Sequence, residues 1–201
     1  MLSEIQLDAL AEIFNVGAGR AASSISEIIH DEVKLSVPSI EFKTSAEISP
    51  EALSLNHGRF GTVRQDFSGS FDAVAMLLFS EDNALEIVRD MMGSQMSLDD
   101  LAEFEQEAMC ELGNIILNAC LSAMADMLSI SLDSSLPDYK IASCDDILHA
   151  IAHNAGQDYI LVLNIVLTSA KRQTEGQLIL LLSSASLTNL IQHIDGLVSG
   201  I

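Results

Sequence analysis

The stretch DALAEIFNVGAGRAASSIS, residues 8–26, and its echo ELGNIILNACLSAM, residues 111–124, decide how this chain is read. Each holds a Glu and an Asn three residues apart, Glu12 with Asn15 and Glu111 with Asn114. Each Asn is followed 23 residues later by a Pro, Pro38 or Pro137. A shift of 99 residues lays one stretch on the other and also aligns Ala9 with Ala108 and Ser23 with Ser122. That shift is close to half of the 201 residues and preserves the order of the predicted elements, which marks a tandem duplication with halves 1–95 and 96–201. No linker rich in Pro, Gly and Ser separates the copies. They are therefore expected to share one sheet and to form one domain, 1–201.

Working outward from the first stretch, Ser3 and Gln6 form a capping-box pattern, and a helix should run to about Ile29. Leu7, Leu10, Phe14, Ala18, Ala21, Ile25 and Ile28 recur at steps of three and four and make one apolar stripe. Val33 to Val37 alternates as a short strand that should stop at Pro38, followed by a second strand over Ile40 to Thr44 and a short helix over Pro50 to Asn56. Gly58–Phe67 and Ser70–Phe79 read as paired strands turning at Ser68-Gly69, and Glu81–Met92 as a helix ending at Gly93. Around Gln95 the pattern restarts. Ser97-Leu98-Asp99-Asp100 opens a helix to about Leu128, followed by a strand near Ile130, a strand over Tyr139–Ser143 and a helix over Asp145–Asn154. Strands over Tyr159–Ala170 and Gly176–Leu182 flank the polar turn Lys171-Arg172-Gln173-Thr174, and a helix over Leu187–Val198 ends at Gly200.

Composition narrows the function classes. Hydrophobic residues make up 49% and aromatics only 4%, so an aliphatic core is expected and disorder is not. The net charge of −20 opposes binding to nucleic acid or anionic lipid, which both require Lys and Arg against phosphate, and suits a docking partner with a basic face. No uninterrupted apolar run reaches the 18 or so residues of a membrane span, and the N-terminus lacks a basic leader, so neither membrane insertion nor secretion is expected. Cys110, Cys120 and Cys144 show no paired spacing, which points to a reducing compartment and a cytoplasmic protein.

On a helical wheel Asp8, Glu12, Asn15 and Gly19 share a flank about 120° from the apolar stripe, by the 100° turn per residue of a helix. Glu107, Glu111, Asn114 and Asn118 do the same in the second copy. A solvated face would account for the Glu residues. A mid-helix Asn is less neutral, costing roughly several tenths of a kcal/mol against Ala, and a matching Asn in both copies asks for a use. A carboxamide donates and accepts without titrating, so it suits holding a water in one orientation rather than taking a proton from it. Phosphoryl transfer uses an uncharged amide in this way beside the attacking water. A carboxylate one turn away repels phosphate and is better suited to a Lys or Arg of the protein that carries it.

The pattern Asp8-x3-Glu12-x2-Asn15-x22-Pro38, with Glu107-x3-Glu111-x2-Asn114-x22-Pro137, closely resembles the signature of the bacterial chemotaxis phosphatases of the CheC, FliY and CheX type. It is most similar to the two-site CheC group. The resemblance implies an α+β fold with a six-stranded antiparallel sheet and the two signature helices side by side on one face. It implies hydrolysis of the phosphoaspartate of a CheY-like response regulator. In that mechanism Glu12 and Glu111 bind a regulator Lys, Asn15 and Asn114 place the attacking water, and Asp8, Glu107, Pro38 and Pro137 support the signature. No metal would be bound by this chain; Mg²⁺ would come with the phosphorylated regulator. A CheD-like deamidase is a further partner that CheC relatives bind, and a non-catalytic adaptor that docks a receiver domain or such a deamidase is the alternative reading.

Two departures from the family pattern are visible. Glu107 is a longer acid than the usual Asp or Ser, and Arg20 stands where the family often has Asn. The pair His149 and His153, four apart, lacks a third ligand on its face and reads as a helix surface rather than a metal site. Gly17-Ala18-Gly19 lies inside a helical pattern, so it is expected to bring the two signature helices close rather than to cradle phosphate.

Overall fold

In the computed structural model, residues 2–55, 58–92, 98–154, 156 and 158–200 are described, with the side chains of 98–100, 102 and 103 left aside. The proposed signature at Ser97, the stop at Gly93, the restart at Gln95 and Asn56 lie outside these residues.

The first signature helix, α1 (Glu4–Ile29), starts as expected. The Ser3 hydroxyl accepts from the Gln6 N–H at 3.3 Å and the Gln6 side chain accepts from the Ser3 N–H at 2.8 Å. The second, α3 (Leu98–Leu128), lies beside it on the same face of the sheet. Each is followed by a non-glycine residue in the left-handed region, His30 at φ 54° and Ser129 at φ 53°, positions that the 99-residue shift makes equivalent.

Seven strands form one antiparallel sheet: β1 (Lys34–Thr44), β2 (Arg59–Gly69), β3 (Ala73–Ser80), β4 (Leu132–Ser134), β5 (Asp138–Ser143), β6 (Tyr159–Thr168) and β7 (Gln173–Leu182). The order is β1-β6-β7-β3-β2, with β4 and β5 both paired to β2. The first strand of each half thus pairs with the other half, β1 with β6 and β4–β5 with β2, while β3 and β7 meet at the centre. The count is seven rather than six because the strand that runs unbroken in the first copy is split in the second around residues 135–137.

One face carries the larger core, built with α1, α3, α2 (Glu81–Met92) and α5 (Ser184–Ser199). The other face is covered by α4 (Cys144–Ala152) and the segment around Leu53 and Leu55. Gly17 fits where α1 meets α3: a Cβ there would lie 2.5 Å from Cys120 Cα and 2.9 Å from the Ala119 carbonyl oxygen. Gly19 faces open space, so only the first glycine of that run serves the helix contact. Over Phe104–Leu128, α3 has the length and hydropathy of a membrane span, yet 56% of that window is buried inside the protein. A helix pressed between a neighbouring helix and a sheet is apolar on both sides for that reason.

Five local expectations are corrected. The chain does not stop at Pro38; β1 runs through it to Thr44, with a register shift between Ser36 and Ser39. A proline is tolerated there because β1 is an edge strand and the irregularity removes the need for its N–H. Residues 50–54 form turns rather than a helix, with Ser54 in the left-handed region. The turn between β2 and β3 falls at residues 70–72 instead of Ser68-Gly69, because the end of β2 is held in extended form by pairing with β4. Gln173 and Thr174 belong to β7, paired with Thr168 and Leu167, so the turn is shorter. Within α1, Ile28 closes the predicted stripe but is 37% exposed.

Candidate functional site

The wheel places the acidic flanks correctly. Asp8, Glu12, Asn15, Glu107 and Glu111 are exposed, and Asn114 and Asn118 are partly so. The four carboxylates make no ion pair among the described residues. Of the nine Lys and Arg residues, only Lys140 is likewise unpaired there; the other cations are engaged by acids elsewhere, as Arg20 is by Asp126 at 2.7 Å between α3 and α1. The signature flanks therefore present uncompensated negative charge suited to a cationic partner.

The two Asn residues differ in what they hold. At the first copy the irregularity in β1 leaves Val37 outside the ladder, and Asn15 takes both of its backbone groups. The Val37 N–H donates to Asn15 Oδ1 at 3.0 Å, and Asn15 Nδ2 donates to the Val37 carbonyl at 3.4 Å and to the Ala11 carbonyl at 2.9 Å. Both amide hydrogens are thus committed, although the residue is exposed. The residue next to Val37 is Pro38, which explains the spacing: the Asn closes the kink at the proline.

At the second copy β2 holds the strand one residue earlier, at Ser135. Gln65 Nε2 donates to the Ser135 carbonyl at 2.7 Å, and the Ser135 N–H donates to the Asp66 carbonyl at 2.8 Å. Leu136, the counterpart of Val37, swings out and is 89% exposed. Asn114 is released from the strand and lines a cleft of about 680 Å³ together with Glu107, Glu111, Cys110, Leu136 and Pro137. The Cys110 thiol is held above its ordinary range, first by burial and then by the charge of Asp138, so it does not offer a ready thiolate.

His149 and His153 stack with ring centroids 3.8 Å apart on the surface. Among the described residues no three His, Cys, Asp or Glu side chains converge as a metal site. Sequence reasoning placed Asn118 on the signature flank but missed Gln65. The available signal was a lone amide at an inward position of β2, where Val63 and Phe67 are core residues.

A sequence profile of the CheC-like family matches residues 5–41, the segment that holds Asp8, Glu12, Asn15 and Pro38. The chain is 25% identical over 152 residues to the CheY-P phosphatase CheC of Bacillus subtilis, covering 70% of this chain and 68% of that protein. It is 29% identical over 149 residues to the flagellar motor switch phosphatase FliY of the same organism, 70% of this chain but only 36% of that longer protein. The fold is that of Thermotoga maritima FliY, with a TM-score of 0.77, 17% identity and 98% of each chain covered. The CheC-like resemblance read from the signature is thereby matched in sequence and in fold.

Proposed function

We propose that this chain hydrolyses the phosphoaspartate of a CheY-like receiver domain, and that Glu111 and Asn114 carry the reaction. The observation that carries this reading is the amide of Asn114, released from the strand and lining a cleft beside an unpaired Glu111. The similarity to a relative named as a CheY-P phosphatase supports the substrate class.

In this reading Glu111, with Glu107 one turn before it, receives a receiver Lys as a charge-assisted pair, which brings the acyl phosphate over the helix. Asn114 then donates through Nδ2 to a water lying in line with the phosphorus. The water oxygen forms the new P–O bond as the bond from phosphorus to the aspartate oxygen breaks. The carboxylate leaves with its electron pair, and the water's proton ends on phosphate or solvent. The receiver supplies the Mg²⁺ that shields the phosphoryl oxygens. Removing the positioned amide should cost about 10²-fold, within the span of positioning effects. Glu12 and Asn15 form the equivalent pair in the first copy; Asn15 engages a water only by giving up Val37.

The test is the decay of a phosphorylated receiver domain with and without the protein. Acceleration that requires Mg²⁺ and is lost in Asn114→Ala supports the reading. Binding of the receiver with no change in the phosphoaspartate lifetime would make the protein an adaptor.

A further inference from the structure

Two more amides surround Asn114. Asn118, one turn on, donates Nδ2 to the Asn114 backbone carbonyl at 2.9 Å and to Asn114 Oδ1 at 2.7 Å. Gln65 donates the same Nε2 that holds Ser135 to Asn114 Oδ1 at 3.4 Å. A backbone carbonyl only accepts, so both donors are identified as nitrogens by their second contact. The atom of Asn114 that they meet must then be oxygen. Both lone pairs of Oδ1 are engaged, and Nδ2 keeps its two hydrogens with no acceptor among the described residues. The orientation of Asn114 is set by its neighbours before any substrate arrives.

The first copy lacks both neighbours. The 99-residue shift pairs Asn118 with Gly19. Ser39 pairs with Asn164 across the sheet as Asp138 pairs with Arg64, so the residue after Arg64, Gln65, answers to Ile165. Ile165 is 2% exposed and Gln65 1%, so the same inward position is apolar in one copy and polar in the other. Gln65 keeps its Oε1 buried with no hydrogen-bond partner among the described residues, an unpaired polar atom that an apolar residue avoids. Its Nε2 is fixed by the Ser135 carbonyl at 2.7 Å and from there reaches Asn114 Oδ1 at 3.4 Å, a contact that isoleucine cannot make.

We infer that Asn118 and Gln65 are positioning residues that hold the Asn114 carboxamide with its N–H₂ turned to the cleft, and that this makes the second copy the working site and leaves the first at rest on Val37. The inference rests on the phosphatase reading for its consequence, but the orientation itself can be measured separately.

The decisive variant is Asn118→Asp, which keeps the shape and replaces the donor with an acceptor. It repels Oδ1, turns the Asn114 amide, and captures Nδ2. At saturating phosphorylated receiver, turnover should fall about 10-fold or more, with receiver affinity unchanged. Asn118→Ala should lose only a few-fold, because the amide is freed rather than reversed. Gln65→Leu should lower turnover with receiver affinity unchanged, and should also lower the urea midpoint because the Ser135 carbonyl loses its donor. Nuclear magnetic resonance gives the second readout. Solvent exchange of the Asn114 side-chain amide should be fast in the native protein and slowed in Asn118→Asp. Native turnover in Asn118→Asp with unchanged amide exchange would overturn the inference. If the native protein itself leaves the phosphoaspartate lifetime unaltered, the phosphatase reading falls, and the amide-exchange comparison alone decides the positioning.

Discussion

Asn15 brackets Val37, accepting from its N–H at 3.0 Å and donating to its carbonyl at 3.4 Å, while among the described residues Asn114 at the equivalent place makes no hydrogen bond to strand backbone. Two residues at equivalent places in the repeated motif therefore do different physical work, and their substitutions should separate.

Asn15→Ala leaves both backbone groups of Val37 without their partners in a partly buried setting. It should lower stability by about 1–3 kcal/mol, read as a shift of the urea midpoint at unchanged slope. Asn114→Ala breaks no backbone contact beyond its own helix and should shift the midpoint far less. Equal midpoints for the two variants would remove the distinction between clip and site.

Gly17 is required by the approach of α1 to α3. Gly17→Ala places a methyl group 2.5 Å from Cys120 Cα, a backbone atom that cannot turn aside. The helices must separate, at a cost of about 1–3 kcal/mol, typical of overpacking. Gly19→Ala, in open space, should hold or raise stability, since alanine favours a helix over glycine. Thermal unfolding of both variants checks this, and a native melting temperature for Gly17→Ala would contradict the close crossing.

Docking should depend on salt and turnover much less. Under the proposed function, a chain of net charge −20 whose signature carboxylates are unpaired among the described residues would attract a basic receiver face over long range. Association should slow as ionic strength passes about 0.1 M, where the Debye length is roughly 10 Å. Water orientation by a neutral amide is short-ranged, so the rate at saturation should barely move. Stopped-flow association rates against salt measure the first, and single-turnover decay the second.

The turn between β6 and β7 is pinned to α2 by Arg172, which pairs with Glu86 and reaches Asp90 at 3.2 Å. The Arg172 hydrogen bond is the chief reason that the Glu86 carboxyl lies below its ordinary value near 4.5. A depressed carboxyl contributes stability above its unfolded value and loses it as the pH falls through the folded one. The stability gap between the native protein and Arg172→Ala should therefore be constant above about pH 5 and narrow below pH 4.5. Denaturation curves at pH 7, 5 and 4 would show it, and a gap that widened on acidification would refute the assignment.

The acidic flanks of both signature helices, the cap of the first at Ser3 and the pairing of Glu with Asn were legible in the sequence. Helix caps and wheel positions depend on residues three or four apart, and local spacing determines them. The charge balance was equally legible, because it is a sum that no fold alters. What the tertiary structure alone decided lies at longer range. β1 continues through Pro38 because β6, more than 100 residues on, supplies its ladder, and β2 extends past Ser68 because β4 pairs with it. The different states of the two Asn residues were likewise beyond the local pattern: Asn15 meets a strand 22 residues away, and Asn114 meets Gln65 across 49. A repeated motif specifies the same helix twice, whereas hydrogen-bond partners are chosen by whatever the sheet brings alongside, and here the sheet brings Ile165 to one copy and Gln65 to the other.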